Sequence, residues 1–280
     1  MRPNCRLFLV MALTLVLVVA VSPGFLRAQE GGGGDVRSKV QNPVSAMYSL
    51  PLKFIVDFGA PNGSAYFLNI QPVIPATVGD WNLVSRIIAP IVSVEGLLTG
   101  TPEIPAGAPG PGANGLGDIN YSLYLSPVNY DKIIWGVGPS IMLPTASDDQ
   151  LGSGKWSGGI TAVGLTQPGW GTYGALFRQL WSFAGDSNRG DVNQFLFEPF
   201  INYNLDKGWY LISDIIMVAN WDAPSSERWT VPLGGGAGKI FKIGNQMMNT
   251  RLEAYYNVAS PETGPDWSMS WTLQFLFPRS

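Results

Sequence analysis

Hydrophobic and polar residues alternate with a period of two near the end of the chain. One set of side chains is Trp267, Met269, Trp271, Leu273, Phe275 and Phe277, and the alternate set is Ser268, Ser270, Thr272 and Gln274. Because successive side chains of a β-strand point to opposite faces, this pattern predicts a strand with one apolar and one polar face. Five further stretches alternate in the same way, at 50–58, 118–126, 172–183, 194–204 and 251–258. The recurrence predicts strands that lie between two different environments.

From Leu50 onward, twelve segments of strand length are separated by turn residues. The six with less regular alternation lie near 64–74, 81–92, 132–143, 156–167, 208–221 and 228–241. An even number of strands, with both chain ends in the periplasm, is the rule for bacterial outer-membrane barrels. We therefore expect an all-β fold over residues 50–280, a transmembrane antiparallel up-and-down β-barrel of about 12 strands.

The lengths of the connections support this topology. On one side they are mostly long, as at 93–117 and 144–155, and on the other they are short, as at Gln167–Trp170, Asn204–Gly208 and Ile243–Asn245. Long extracellular loops and short periplasmic turns are typical of these barrels. The longest connection carries four prolines and several glycines, so we expect neither a helix nor a strand interior within it.

The first 28 residues have the three parts of a secretory signal peptide. Arg2 and Arg6 precede the apolar run Leu7–Val21, and a short segment then ends at Ala28. The run is shorter than the roughly 20 residues of a membrane-spanning helix, so a retained anchor is the weaker alternative. We expect cleavage after Ala28 and localisation in the outer membrane of a Gram-negative bacterium.

Residues 29–49 form a leader before the first predicted strand. Asn42 can cap a short helix that has Pro43 in its first turn. Two interpretations stay open: the segment folds into the barrel and plugs the lumen, or it is a periplasmic leader without contact to the lumen.

Composition excludes several classes of function. Removal of residues 1–28 takes away three arginines and no acid, which leaves 14 basic against 20 acidic residues and a net charge of −6. No basic surface for nucleic acid is expected. The chain has no histidine, and its single cysteine, Cys5, lies in the signal peptide. A Ser-His active site, a His-bearing metal centre and a disulfide are therefore excluded, and we predict neither enzyme activity nor a cofactor.

Charged residues make up 13% of the chain, against roughly 25% in soluble domains. If the apolar faces point to lipid, the opposite faces line a lumen, and the ionisable residues there are Lys53, Asp57, Arg86, Asp118, Arg178, Glu198, Asp214, Arg251 and Glu253. A strongly ion-selective pore would show one sign of charge, whereas these five acids and four bases are nearly balanced. We expect several to pair across the barrel, because unpaired charges are costly at low dielectric. They are either solvated wall residues or part of a substrate pathway.

Two short motifs match known functional sequences only superficially. The glycines of Gly234–Gly238 lack the residue order of a phosphate-binding loop, and we interpret them as positions where the wall bends or accepts bulk from inside. Arg189-Gly190-Asp191 matches a cell-adhesion tripeptide, to which we assign no function.

Several segments resemble one known family. They are Gln41–Leu52, Gly115–Ile119, Trp135–Pro139 and Leu273–Pro278. In these segments the chain resembles the MetA-pathway of phenol degradation proteins, which are outer-membrane barrels assigned to transport. The resemblance implies a porin-like channel for aromatic or other apolar compounds and carries over no catalytic residue. The three residues after Phe277 depart from the terminal aromatic residue that the barrel assembly machinery recognises in many barrels.

The leading hypothesis is an outer-membrane channel or transporter for small molecules. Its expected partners are the lipid bilayer, a small-molecule solute and the barrel assembly machinery. The alternative is a non-conducting outer-membrane barrel with an adhesive or envelope-structural role, in which the loop 93–117 would bind a surface.

Overall fold

The computed structural model describes residues 33–277. The predicted signal peptide and the last three residues lie outside this range. The described chain has one α-helix, α1 (Gly33–Val40), and short 3₁₀ turns at Asp149–Leu151 and Asp206–Gly208. None of the helical segments in this range has the length and apolar character needed to cross a bilayer.

Fifteen β-strands make up the rest of the regular structure within residues 33–277. They are β1 (Tyr48–Ala60), β2 (Gly63–Ile70), β3 (Val73–Val78), β4 (Trp81–Val94), β5 (Ala113–Leu116), β6 (Ile119–Pro127), β7 (Ile134–Leu143), β8 (Lys155–Thr166), β9 (Gly171–Gly185), β10 (Asn193–Asn204), β11 (Trp209–Asp214), β12 (Met217–Asn220), β13 (Trp229–Ile243), β14 (Gln246–Ala259) and β15 (Trp267–Phe277). The short strand β5 lies within the connection 93–117, so the expectation that no strand forms there is wrong.

The strands form one closed antiparallel barrel. The first strand pairs with the last, from Tyr48 opposite Phe277 to Phe58 opposite Trp267. Three pairs of strands, β2 with β3, β5 with β6 and β11 with β12, are consecutive halves of one wall strand, because both halves pair with the same neighbour. The fifteen strands therefore make twelve wall strands. The predicted fold class is confirmed.

Each of the three interruptions has a proline in it or opposite it. Pro72 lies in the first interruption, Pro90 opposite the second and Pro199 opposite the third. A proline has no N–H group to donate to the neighbouring strand, so the hydrogen-bond ladder loses one bond there. The proline carbonyls still accept, from the backbone N–H of Ile87, Gly117 and Ile215 respectively. Two of the three interrupted wall strands, β2 with β3 and β11 with β12, are among the segments with less regular alternation.

The outer surface of the wall is apolar. Large hydrophobic side chains that point outward include Phe183, 66% exposed, and Leu252, 59% exposed, whereas the neighbouring Glu253 is 2% exposed. Apolar exposure on this scale is unusual for a soluble monomer and typical of a lipid-facing wall. All ten tryptophans lie within four residues of a wall-strand end, four near the short turns and six near the long loops. Such aromatic girdles mark the two membrane interfaces.

A charge placed on this surface tests the orientation of the wall. Leu252 lies midway along β14 and faces outward. We expect Leu252→Arg to lower the free energy of unfolding by about 2–4 kcal/mol, the cost of an arginine near the bilayer midplane. Unfolding of the protein in lipid vesicles by denaturant measures this change. Asn245→Arg, in an exposed periplasmic turn, is the control and should stay within about 0.5 kcal/mol of wild type. Equal effects of the two variants would contradict the lipid-facing assignment.

Candidate functional site

Residues 41–47 lie inside the barrel at the end with the short turns, which is the periplasmic end. Gln41, Val44 and Met47 are buried. Val44 packs against a cluster that includes Val84 and Ile134, from β4 and β7, whereas Met47 packs against a separate cluster from β11, β13 and β15. Because these strands lie on different sides of the wall, the segment crosses the lumen.

The N-terminal segment is also fixed by polar contacts. The side-chain amide of Gln41 donates to Asn204 Oδ1 at 3.0 Å and its carbonyl accepts from Thr172 Oγ1 at 2.8 Å. Arg37 Nη1 donates to the carbonyl oxygen of Leu205 at 2.8 Å. All three partners lie near periplasmic strand ends, so the segment is attached along the rim as well as inside.

The expected helix start at Asn42 is wrong. The helix α1 ends at Val40, before Asn42, and the Asn42 carboxamide oxygen instead accepts from the backbone N–H of Val44 at 3.0 Å. This contact closes a turn of the kind that asparagine side chains favour. The residue before a proline avoids helical backbone angles, which explains why Asn42 belongs to the turn.

The extracellular end of the lumen is narrowed by an inward-folded loop. In the connection from β4 to β5, Leu98 and Ile104 are 4% and 1% exposed. They pack with Leu151 from the next extracellular connection and with inward side chains of the wall such as Phe67. Burial of these apolar residues holds the loop in the barrel mouth.

Arg189 joins three extracellular connections. Its Nη2 donates to the carbonyl oxygens of Ala106, Asp149 and Gly152 at 2.9, 2.8 and 2.6 Å, and its Nη1 pairs with the Asp149 carboxylate at 3.1 Å. Both charged residues of the adhesion-like tripeptide therefore have intramolecular partners, because Asp191 contacts Lys155 Nζ at 3.3 Å and accepts from Ser182 Oγ. These donors hold the pKa of the Asp191 carboxyl below its ordinary value.

Between the two narrowed ends, the lumen contains two cavities. The lower cavity, next to residues 39–47, has about 1000 Å³ of space between atoms, and the upper cavity, next to Pro102 and Glu103, has about 790 Å³. Six residues line both cavities and form what we call the neck: Lys53, Gln71, Arg86, Leu176, Glu198 and Arg251. Four of them are charged, and all four were predicted from the sequence.

A buried ionic cluster centres on Arg251. Its Nη1 contacts Asp214 Oδ2 at 2.6 Å and its Nε contacts Glu253 Oε2 at 3.0 Å. Tyr255 joins the same cluster, because its hydroxyl donates to Glu253 Oε1 at 2.9 Å and accepts from the backbone N–H of Asp214 at 2.8 Å. These contacts connect β11 to β14 across β13. The expected pairing of lumen charges occurs here.

Asp118 has a structural position at the interruption between β5 and β6. Its carboxylate accepts from the backbone N–H groups of Ala146 and Ser153 at 3.1 and 2.7 Å, and from Ser153 Oγ at 2.8 Å. The side chain thereby fixes the connection between β7 and β8, although it also borders the upper cavity. The acceptor positions of the Asp118 carboxylate are therefore largely occupied by donors of the protein itself.

The remaining predicted residues are less well paired. Within residues 33–277, Lys53, Arg86 and Arg178 form no ion pair with a carboxylate. Arg178 Nη2 donates to Gln194 Oε1 at 2.9 Å, while its buried Nε has no partner. Asp57, 6% exposed, lies on the inner face of β1 but borders neither cavity.

Several lumen residues were not predicted. Glu103 belongs to the extracellular connection, and its carboxylate accepts from Asn69 Nδ2 at 2.7 Å inside the barrel. Tyr210 is 2% exposed and donates to Asn249 Oδ1 at 2.7 Å. The alternation of β11 places Tyr210 on the inner face, but no local signal marks a loop residue such as Glu103 as a lumen residue.

The glycines of β13 leave room inside the barrel. A Cβ atom at Gly238 would collide with the Tyr210 ring, which lies against this part of the wall. The absence of a side chain at Gly238 therefore lets β13 accept the bulk of Tyr210 from the lumen, as the sequence indicated.

No protein-family model and no curated protein sequence matches the chain. Among solved structures, an outer membrane channel from Pseudomonas putida F1 superposes with a TM-score of 0.60 at 14% identity, covering 92% of this chain and 100% of that one. The P. putida toluene transporter TodX has a TM-score of 0.42 at 9% identity, covering 86% and 94%. Outer membrane phospholipase A from Escherichia coli has a TM-score of 0.41 at 11% identity, covering 88% and 98%.

The apolar wall and the first of these superpositions define the class of protein. The chain has the fold of an outer-membrane β-barrel. At such low identity the likeness concerns the fold alone, and the MetA-pathway resemblance of the sequence stays a prediction.

Proposed function

We propose that this protein is an outer-membrane channel for small molecules. The observation that carries the proposal is a pair of adjoining cavities, which share the four charged residues of the neck, inside a closed barrel with an apolar exterior. Buried ionisable side chains are costly to maintain, and a solute pathway gives them a role.

Aromatic and other apolar compounds are the solutes that we propose. Apolar side chains border the upper cavity alongside the charged ones, among them Ile88, Met142 and Leu196. A lumen with mixed apolar and polar walls suits a small molecule with an apolar body and few polar groups. The MetA-pathway resemblance points in the same direction. The absence of histidine from the sequence favours transport over a Ser-His hydrolase.

The non-conducting barrel is the second candidate. It is favoured by the two chain segments that narrow the lumen, residues 41–47 at one end and the connection containing Leu98 and Ile104 at the other. An adhesive role for that connection is disfavoured, because its apolar residues are buried in the barrel mouth rather than displayed on the surface.

Single-channel recording and uptake assays separate the two candidates. We expect the mature protein in planar bilayers to give small, discrete conductance steps, because both ends of the lumen are narrowed. We also expect a strain without the gene to take up a panel of aromatic compounds more slowly than the same strain complemented with it. Silence in bilayers together with equal uptake would eliminate the channel and leave the structural barrel.

A further inference from the structure

Four cations and three carboxylates border the upper cavity, and they are unequally paired. Arg251 is neutralised by two carboxylates, and Asp118 is occupied by the N–H and hydroxyl donors of the connection between β7 and β8. The other charged residues that border the cavity are the cations Lys53, Arg86 and Arg178 and the carboxylates of Glu103 and Glu198. The cations therefore exceed the carboxylates by one, and none of the three forms an ion pair within the described chain.

Arg178 has unused hydrogen-bond donors in a buried position. Its side chain is 5% exposed, and a guanidinium has five N–H donors. One hydrogen bond, to Gln194 Oε1, is present, and the buried Nε has no partner. The charges of Glu103, Arg86 and Glu198 all act on Arg178, and the attraction of Glu103 is larger than the repulsion of Arg86. Arg178 and Arg86 repel each other, and a bound anion would add to the partial compensation that Glu103 and Glu198 provide.

The surroundings of these cations restrict the anion. Tyr124, Leu176 and Leu196 border the same cavity and contribute apolar surface to its wall. Planar, bidentate recognition by arginine suits a carboxylate, and an apolar wall suits a hydrocarbon body attached to it. We propose that Lys53, Arg86 and Arg178 bind the carboxylate of a small aromatic or aliphatic monocarboxylic acid in the upper cavity. This inference rests on the proposed channel function, since the acid would be the solute.

The test measures binding directly, so that it does not depend on conduction. Isothermal titration of the detergent-solubilised mature protein with benzoate is compared with titration of benzyl alcohol, which has a similar body and no charge. We expect binding of benzoate and at least about tenfold weaker binding of benzyl alcohol, because the alcohol forms no charge-assisted hydrogen bonds.

Single substitutions locate the site. Arg178→Gln, Arg86→Gln and Lys53→Gln should each weaken benzoate binding about tenfold, the effect of one lost charge-assisted contact. Lys132→Gln removes the same charge from an exposed periplasmic turn and should leave binding unchanged. Heat-dependent migration on gels confirms that each variant forms a folded barrel. Three separate variants keep the test independent of a folding defect in one of them.

The outcomes distinguish the site from the channel. Absence of benzoate binding, or equal binding by the three lumen variants and wild type, overturns the proposed site. Discrete conductance steps without benzoate binding would leave the channel and refute the acid site. Benzoate binding that depends on the three cations, in a protein that is silent in bilayers, would support the site and refute conduction.

Discussion

Removal of residues 30–47 is expected to raise the single-channel conductance at least about threefold, because the segment that crosses the lumen is then absent. Gln41, Val44 and Met47 fill the periplasmic end between opposite sides of the wall. Tyr48 is retained because it begins β1 and pairs with Phe277, so that barrel closure is preserved. Planar-bilayer recording of the refolded barrel measures the change.

A point variant separates loss of the plug from a general loosening of the barrel. Val44→Asp places a charge in an apolar contact, which should detach the segment from the wall without removing it. We therefore expect a smaller increase in conductance than the deletion of residues 30–47 gives. Asp206→Asn, in an exposed turn at the same end of the barrel, is the control and should conduct like wild type. A folded deletion variant with wild-type conductance would show that residues 41–47 do not limit passage.

Arg251→Met is expected to lower the free energy of unfolding by about 3–5 kcal/mol, because it leaves the carboxylates of Asp214 and Glu253 buried without their cation. Asp214 and Glu253 have side chains that are 10% and 1% exposed, so solvent offers them little compensation. The cluster also joins β11 to β14, and its loss therefore affects the wall where β11 and β12 are interrupted. Denaturant unfolding in lipid vesicles gives the free energy.

Neutralising all three residues provides the matched comparison. Asp214→Asn and Glu253→Gln, combined with Arg251→Met, should recover most of the lost stability. Removing all the charges of a buried cluster costs far less than leaving one charge buried without its counterion. Lys132→Gln, which removes one positive charge at the surface, should change stability by no more than about 0.5 kcal/mol. If Arg251→Met lowered the free energy of unfolding no more than Lys132→Gln does, the ionic cluster would contribute little to the stability of the barrel.

The wall of the barrel was predictable because its signal is local. The first strand was expected at 50–58 and spans Tyr48–Ala60, and the last was expected at 267–277 and spans Trp267–Phe277. Alternation also assigned faces correctly, as with Glu253 inside and Leu252 outside. The interruptions of the wall strands were not predicted. Two of the three lie opposite a proline of a neighbouring strand, and the sequence of one strand does not show which strand will be its neighbour.

The candidate site was predictable only as a set of inward-facing residues. Arg251 pairs with Asp214, 37 residues away in sequence, whereas Arg178 is left without a carboxylate. Which charges meet depends on strand register and tilt around the closed wall, and neither is encoded in the period of a single strand. Glu103 enters the lumen because its loop folds inward. The burial of Leu98 and Ile104 stabilises that inward conformation.

The sequence by itself determined which side chains contact hydrocarbon and which contact the interior, because a strand presents alternate residues to opposite faces wherever it lies in the fold. The tertiary structure alone decided which interior groups are neighbours. Closure of the wall brings distant strands within hydrogen-bonding distance, and the inward folding of residues 41–47 and of the connection between β4 and β5 narrows the two ends of the lumen. These are long-range contacts, and their formation depends on the whole barrel rather than on any local pattern.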